Sequence, residues 1–200
     1  MMSGTMEPMP PSTVTAAAGA VRALLRLDDG NEAALVERVA GVALGLAESF
    51  CGQVLIQRAV EERVAGAVDW QALSAIPVVA ILSGAAGEIH RDGRGWVRTG
   101  ESVTVRYRAG LAESWAGLPA EIAHGVAIMG AHLFDNRDAA AVPPAAVAAL
   151  WRRMRLDRPR RAWRRTARAG RRASSGAPDC GVWGNKGDGI WQSKRAAPFC

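Results

Sequence analysis

The sequence predicts a mainly α-helical protein: a helical bundle with a small inserted antiparallel β-sheet and an extended C-terminal tail. Three observations lead there. Apolar residues recur at helical spacing up to residue 51 and again from 119 to 156, strand-like alternation replaces that spacing between them, and the composition changes abruptly after Leu156. At 200 residues with 49% apolar content, the chain can bury one domain's core and still carry a tail.

Residues 1–12 read as a flexible N-terminal arm. The first helix is expected over 13–27, where Ser12 or Thr13 caps an alanine-rich stretch, Val21, Leu24 and Leu25 form an apolar edge, and Asp28-Asp29-Gly30 stops it. A second helix follows over 31–51. Leu35, Val39, Val42, Leu46 and Phe50 advance by four, three, four and four residues, which sets them on one face as the expected core stripe. Glu32, Glu37, Arg38 and Glu48 take the other side, and Gly52 stands where a helix C-cap glycine belongs.

A β insertion is expected over 53–108. Val54, Ile56, Val60 and Val64 fall on even positions against Gln53, Gln57, Glu61 and Arg63; Val103, Val105 and Tyr107 alternate with Ser102, Thr104 and Arg106. Both segments read as half-buried strands. Residues 76–82 form a buried-strand run, and Asp92-Gly93, followed by Gly95, marks a hairpin tip.

Helical period returns over 119–135, with Pro119 in the first turn and Ile122, Val126, Met129 and Leu133 spaced four, three and four. Gly125 and Gly130 each weaken such a helix by about 1 kcal/mol relative to alanine, so a neighbour is expected to pack closely against them. Pro143-Pro144 opens a last short helix over 144–156 carrying Val147, Leu150, Trp151 and Met154, and the domain closes near Leu156.

Charge is divided unevenly. Residues 1–150 hold 11 basic and 16 acidic side chains, a net −5, and residues 151–200 hold 14 and 3, a net +11, so the overall +6 joins an acidic body to a basic tail. Arginines crowd residues 158–172, and Gly, Ser and Pro dominate beyond 174, a composition that cannot bury a core of its own. Yet four of the seven tryptophans, Trp151, Trp163, Trp183 and Trp191, lie in this last quarter, which suggests a segment that orders on a partner.

Several function classes lose support. No apolar run approaches the about 18 residues of a membrane helix, and the longest, over 75–87, is interrupted by Pro77 and Ser83. No basic region followed by an apolar stretch opens the chain, so no secretory signal is expected. Cys51, Cys180 and Cys200 are scattered, without a CxxC pair, and read as reduced thiols of a cytoplasmic product.

His124 and His132, eight apart with Asp135 following, lack the four-residue spacing and third donor of a metal site, so no metal is expected. His132 reads as packing or capping near Asp135 and Asn136, and His90 as solvent-facing. Glu61 and Glu62 point to opposite faces of a strand, and Asp28-Asp29 occupies a helix stop, so neither pair makes an acid/base couple. With no GxSxG, P-loop or GxGxxG string, neither an enzyme nor a cofactor is expected.

The strings themselves form an ordered series. Leu24-Leu25-Arg26-Leu27-Asp28-Asp29, Ala47-Glu48-Ser49-Phe50-Cys51-Gly52 and Val54-Leu55-Ile56-Gln57 come first. Val103-Thr104-Val105-Arg106-Tyr107-Arg108-Ala109-Gly110, Leu118-Pro119-Ala120-Glu121-Ile122, Ala131-His132-Leu133-Phe134-Asp135-Asn136-Arg137-Asp138 and Val142-Pro143-Pro144 follow. In this order and spacing, over residues 19–156, the chain resembles tailed-phage head-tail connector (adaptor) proteins, including the adaptors of phage-like gene transfer agents.

The resemblance implies a non-enzymatic homo-oligomeric ring, commonly a dodecamer, assembled in the bacterial cytoplasm. Such a ring sits beneath the portal protein in the neck of a tailed phage or phage-like particle and joins it to a tail-proximal stopper or neck protein. It leaves an axial channel for DNA, and an acidic body lining that channel would repel phosphate and avoid holding passing DNA.

Two features keep alternatives open. Asp157 and Pro159 break the last helix, after which Arg160, Arg161, Arg164, Arg165, Arg168, Arg171 and Arg172 recur around Trp163 and give a basic face to a second short helix. One reading is portal docking, with these arginines clamping carboxylates while Trp151, Trp163, Trp183 and Trp191 fill pockets. Another is a small nucleic-acid-binding protein acting through the same tail, and a third is a solvated basic tail; the resemblance favours docking. Arg137 either pairs with an acidic group of an adjacent subunit or meets its own helix dipole or Asp138 while Asn136 caps the helix, and the second is favoured.

Overall fold

The structure is a computed structural model that describes residues 4–27, 32–136 and 142–156. Four helices, α1 (Pro11–Leu25), α2 (Ala33–Cys51), α3 (Ala120–Asp135) and α4 (Ala145–Arg152), enclose one core. Proline introduces three of them, at the first turn of α1 and as the N-cap of α3 and α4, where a missing N–H costs nothing. Gly52 closes α2 in the left-handed conformation at φ 68°, its N–H on the Glu48 carbonyl at 2.9 Å.

Seven strands follow the same chain: β1 (Gly4–Met6), β2 (Arg58–Val64), β3 (Ala67–Ala72), β4 (Val78–Ser83), β5 (Ala86–Ile89), β6 (Gly95–Thr99) and β7 (Val103–Ala109). They form a four-stranded sheet in the order β1-β2-β7-β4 and a three-stranded sheet in the order β3-β6-β5, antiparallel throughout. The expected mainly α bundle with a small sheet is therefore corrected to an α+β fold, with 43% helix and 28% strand among the described residues. The second sheet escaped the sequence reading because its strands carry little period. All four residues of β5 are exposed, and β3 buries none of its six.

Residues 4–6, expected within a flexible arm, are paired instead: Gly4, Thr5 and Met6 lie opposite Glu62, Glu61 and Val60 of β2. The hairpin tip falls where expected, with Gly93 at φ 77° between β5 and β6.

The helical core corrects the expected stripe of α2. Val36, Ala40, Ala43, Leu44, Ala47 and Cys51 face inward, while Val42 and Leu46 are 49% and 40% exposed. Small side chains let neighbouring helices approach, so Ala40, Ala43 and Ala47 share the interior with Val36 and Leu44, Phe50 packs at its margin, and Val42 and Leu46 are left outside. The glycines of α3 serve the same closeness. A Cβ on Gly125 would stand 2.3 Å from Trp151 Nε1, and one on Gly130 would stand 2.5 Å from Val21 Cγ2, as the expected close packing requires.

A second core lies between the sheets, built on Val60, Val64, Leu73, Val78, Val97, Val105 and Tyr107. A buried charged pair ties the helices to the four-stranded sheet. Glu48 of α2 accepts the Leu55 amide at 2.9 Å and pairs with Arg58, the buried first residue of β2. Beside it, Ile56 and Ala112 form a parallel bridge.

Candidate assembly surface

Of the residues expected to meet partners, only Trp151 lies among the described ones, and its placement corrects that expectation. It is 3% exposed, its indole N–H points to the Ile122 carbonyl at 3.4 Å, and its ring centroid is 5.9 Å from that of Phe50. A side chain so enclosed packs α4 onto α3 and has no face left for a partner pocket. Arg137, Arg160, Arg161, Trp163, Arg164, Arg165, Arg168, Arg171, Arg172, Trp183 and Trp191 lie outside the described residues. Asn136 is the C-cap residue of α3, its side-chain amide donating to the His132 carbonyl at 3.0 Å, which is the capping reading.

The buried polar groups are arranged for structure. Glu62 is 1% exposed and takes three hydrogen bonds on one oxygen: from the Ser74 amide at 3.0 Å, the Ser74 hydroxyl at 2.8 Å and the Tyr107 hydroxyl at 2.8 Å. Burial raises the Tyr107 phenol to about 12, and the adjacent Glu62 carboxylate pushes the same way, against the opposing bonds of Ser74 and the Ala75 amide. Burial likewise lifts the Cys51 thiol to about 11, which keeps it protonated and unreactive. Among the described residues, no three His, Cys, Asp or Glu side chains gather to hold a metal ion, and no helix is long and apolar enough to cross a membrane.

What the sequence reading missed is on the surface. On the small sheet, Trp70 of β3 is 40% exposed with the Arg98 guanidinium 5.3 Å above its ring. On the larger sheet, apolar side chains stand at both edges: Met6 of β1 at one, Val79 and Leu82 of β4 at the other, each 44–48% exposed. Beside Met6, a cleft of about 530 Å³ is lined also by Gly45 and Glu48 of α2, Gln53, Val54 and Ile76. Exposed apolar side chains on sheet edges are a general means by which chains pair, which makes these edges candidate contact surfaces.

No protein-family model matches the sequence, and no curated protein matches it either. Solved structures do. A chain of "Neck of empty GTA particle computed with C6 symmetry" superposes at TM-score 0.66 with 22% identity, covering 79% of this chain and 96% of that one. The fold is that of a gene transfer agent neck chain. A chain of "Virion of native gene transfer agent (GTA) particle" matches at TM-score 0.60 and 22% identity, and one of "Neck of native GTA particle computed with C12 symmetry" at 0.59 and 23%. Both are covered to the same 79% and 96%.

Proposed function

We propose that this chain is a structural head-tail adaptor of a phage-like particle, a subunit of a ring in the neck beneath the portal. The ring joins the portal to the next tail-proximal protein and leaves a passage for DNA. The observation that supports it most is the near-complete coverage, 96%, of a neck chain by this fold. The C6 and C12 symmetries of those neck assemblies agree with a ring, as do the apolar sheet edges. In this reading residues 157–200 dock on the portal, Arg160, Arg161, Arg164, Arg165, Arg168, Arg171 and Arg172 pairing with its carboxylates and Trp163, Trp183 and Trp191 filling its pockets. Arg137 is a candidate contact between subunits.

The test is co-sedimentation with purified portal rings, comparing the full chain with one ended after Leu156, alongside DNA binding at low and moderate salt. The full chain is expected to pellet with the portal and the shortened one to remain in solution. A full chain that ignores the portal but binds DNA with a steep salt dependence would replace this reading with nucleic-acid binding.

A further inference from the structure

The residues that follow α4 are fastened to the end of α2. The chain first turns once more, the Met154 amide on the Trp151 carbonyl at 3.0 Å and the Arg155 amide on the Arg152 carbonyl at 3.4 Å. The Leu156 amide then donates to the Cys51 carbonyl at 3.0 Å, and the side-chain amide of Gln53, itself 7% exposed, donates to the Met154 carbonyl at 2.7 Å. The Arg155 guanidinium lies over the Phe50 ring, 5.8 Å from its centroid. The end of a domain is loose unless something ties it down, and here a buried side chain, a backbone bond and a stacked cation all do so.

The fastening holds three cations in place. Arg152, Arg153 and Arg155 are exposed, and none pairs with a carboxylate among the described residues. Crowded like charges repel one another, and these stand out at one end of a body that carries a net −5 over residues 1–150. Chain length then limits what can lie beyond them. Arg160 is four residues past Leu156 and Trp163 seven, so they reach at most about 14 Å and 25 Å from it. Any surface that those side chains contact therefore passes close to the three fixed arginines as well.

We propose that Arg152, Arg153 and Arg155 are the fixed part of the portal contact, and that an acidic portal surface meets the subunit at the end where α2 stops. The inference rests on the portal reading above and deepens it: it adds three cations from the body and states which end of the subunit faces the portal. Carboxylates suit the patch better than DNA phosphates. Guanidinium groups clamp carboxylates in a set geometry, and a patch already held in position loses little freedom on meeting them, whereas the acidic body beside it repels a phosphate backbone.

Two full-length variants test this on purified portal rings. Arg152→Glu, Arg153→Glu and Arg155→Glu together reverse the patch. Arg38→Glu, Arg91→Glu and Arg108→Glu together make the same change of charge at exposed arginines elsewhere, which also pair with no carboxylate among the described residues. Circular dichroism and melting check that each folds; should the patch reversal melt early, Arg153→Glu alone gives the same reading with a smaller loss. In co-sedimentation the patch reversal is expected to bind the portal about tenfold more weakly or worse at low salt, with the gap narrowing as salt rises, and the second variant to bind within about twofold of wild type. A folded patch reversal that pellets like wild type, or a second variant that weakens as much, would overturn this contact and leave the portal reading standing. Unchanged portal binding with lost DNA binding would overturn it too and assign the patch to nucleic acid. A wild-type chain that does not pellet with the portal would overturn the portal reading, and this inference with it.

Discussion

Glu62 is a carboxylate enclosed by the sheet core, and its environment makes the surrounding residues measurable. Three donors converge on one of its oxygens, while the other is buried with no partner among the described residues. Tyr107→Phe removes one of those donors and also the acceptor of the Ala75 amide, 3.1 Å away. It is expected to cost about 1–3 kcal/mol in urea denaturation; a change within error of zero would show that the network adds no stability. The protein has a single tyrosine, so phenolate absorbance reports this residue alone. Its folded value, about 12 against an ordinary 10, is raised. The stability it contributes is fully present below pH 10 and is lost as pH rises through 12. Melting temperature is therefore expected to hold below pH 10 and fall above it, with the absorbance midpoint near 12 in the folded protein and near 10 in denaturant.

The helices show which parts of the sequence could be read and which could not. Most of their ends were legible within about two residues, with Pro119, Pro144 and Gly52 marking them chemically, but the last helix, expected to reach residue 156, ends at Arg152. The inward face of α2 was not legible, since periodicity weights large side chains and the interior selected Ala40, Ala43 and Ala47. Gly125 was readable as a packing position, but its partner was not, because Trp151 lies beside the arginine-rich segment and was grouped with it. Two substitutions separate packing from propensity. Gly125→Ala drives a methyl into the Trp151 indole and is expected to destabilise by about 1–3 kcal/mol. Gly19→Ala, on a helix position with nothing within 4 Å, is expected to stabilise the fold, by about 0.5–1 kcal/mol. Equal effects from the two would sink the packing account. The bulged edge of β4, whose register with β7 slips twice, was illegible for a different reason: a register slip is a property of two strands, and neither sequence alone records it.

At the scale of the molecule, Glu48 and Arg58 join the helical and sheet cores beside residues 54–56, which enter both, and the contribution of that pair to unfolding as one unit can be measured. Glu48→Ala strands the largely buried Arg58 charge and removes the acceptor of the Leu55 amide. A loss of about 3 kcal/mol is expected, with separate transitions by far-ultraviolet and tryptophan signals if the joint sustains cooperativity. Coincident transitions in the variant would show that the cores are coupled elsewhere. Strand parity adds a consequence for assembly. An all-antiparallel sheet with an even number of strands ends in edges that run in opposite directions, and β1 and β4 are such edges. A copy related by rotation about an axis along the strands thus meets β4 with a β1 of opposite sense, so every seam of a closed circle repeats the antiparallel relation found within each subunit. The three-stranded sheet has odd parity, and the same rotation would bring its edges together in parallel. Of the two sheets, only the four-stranded one tiles a circle without changing the sense of its pairing.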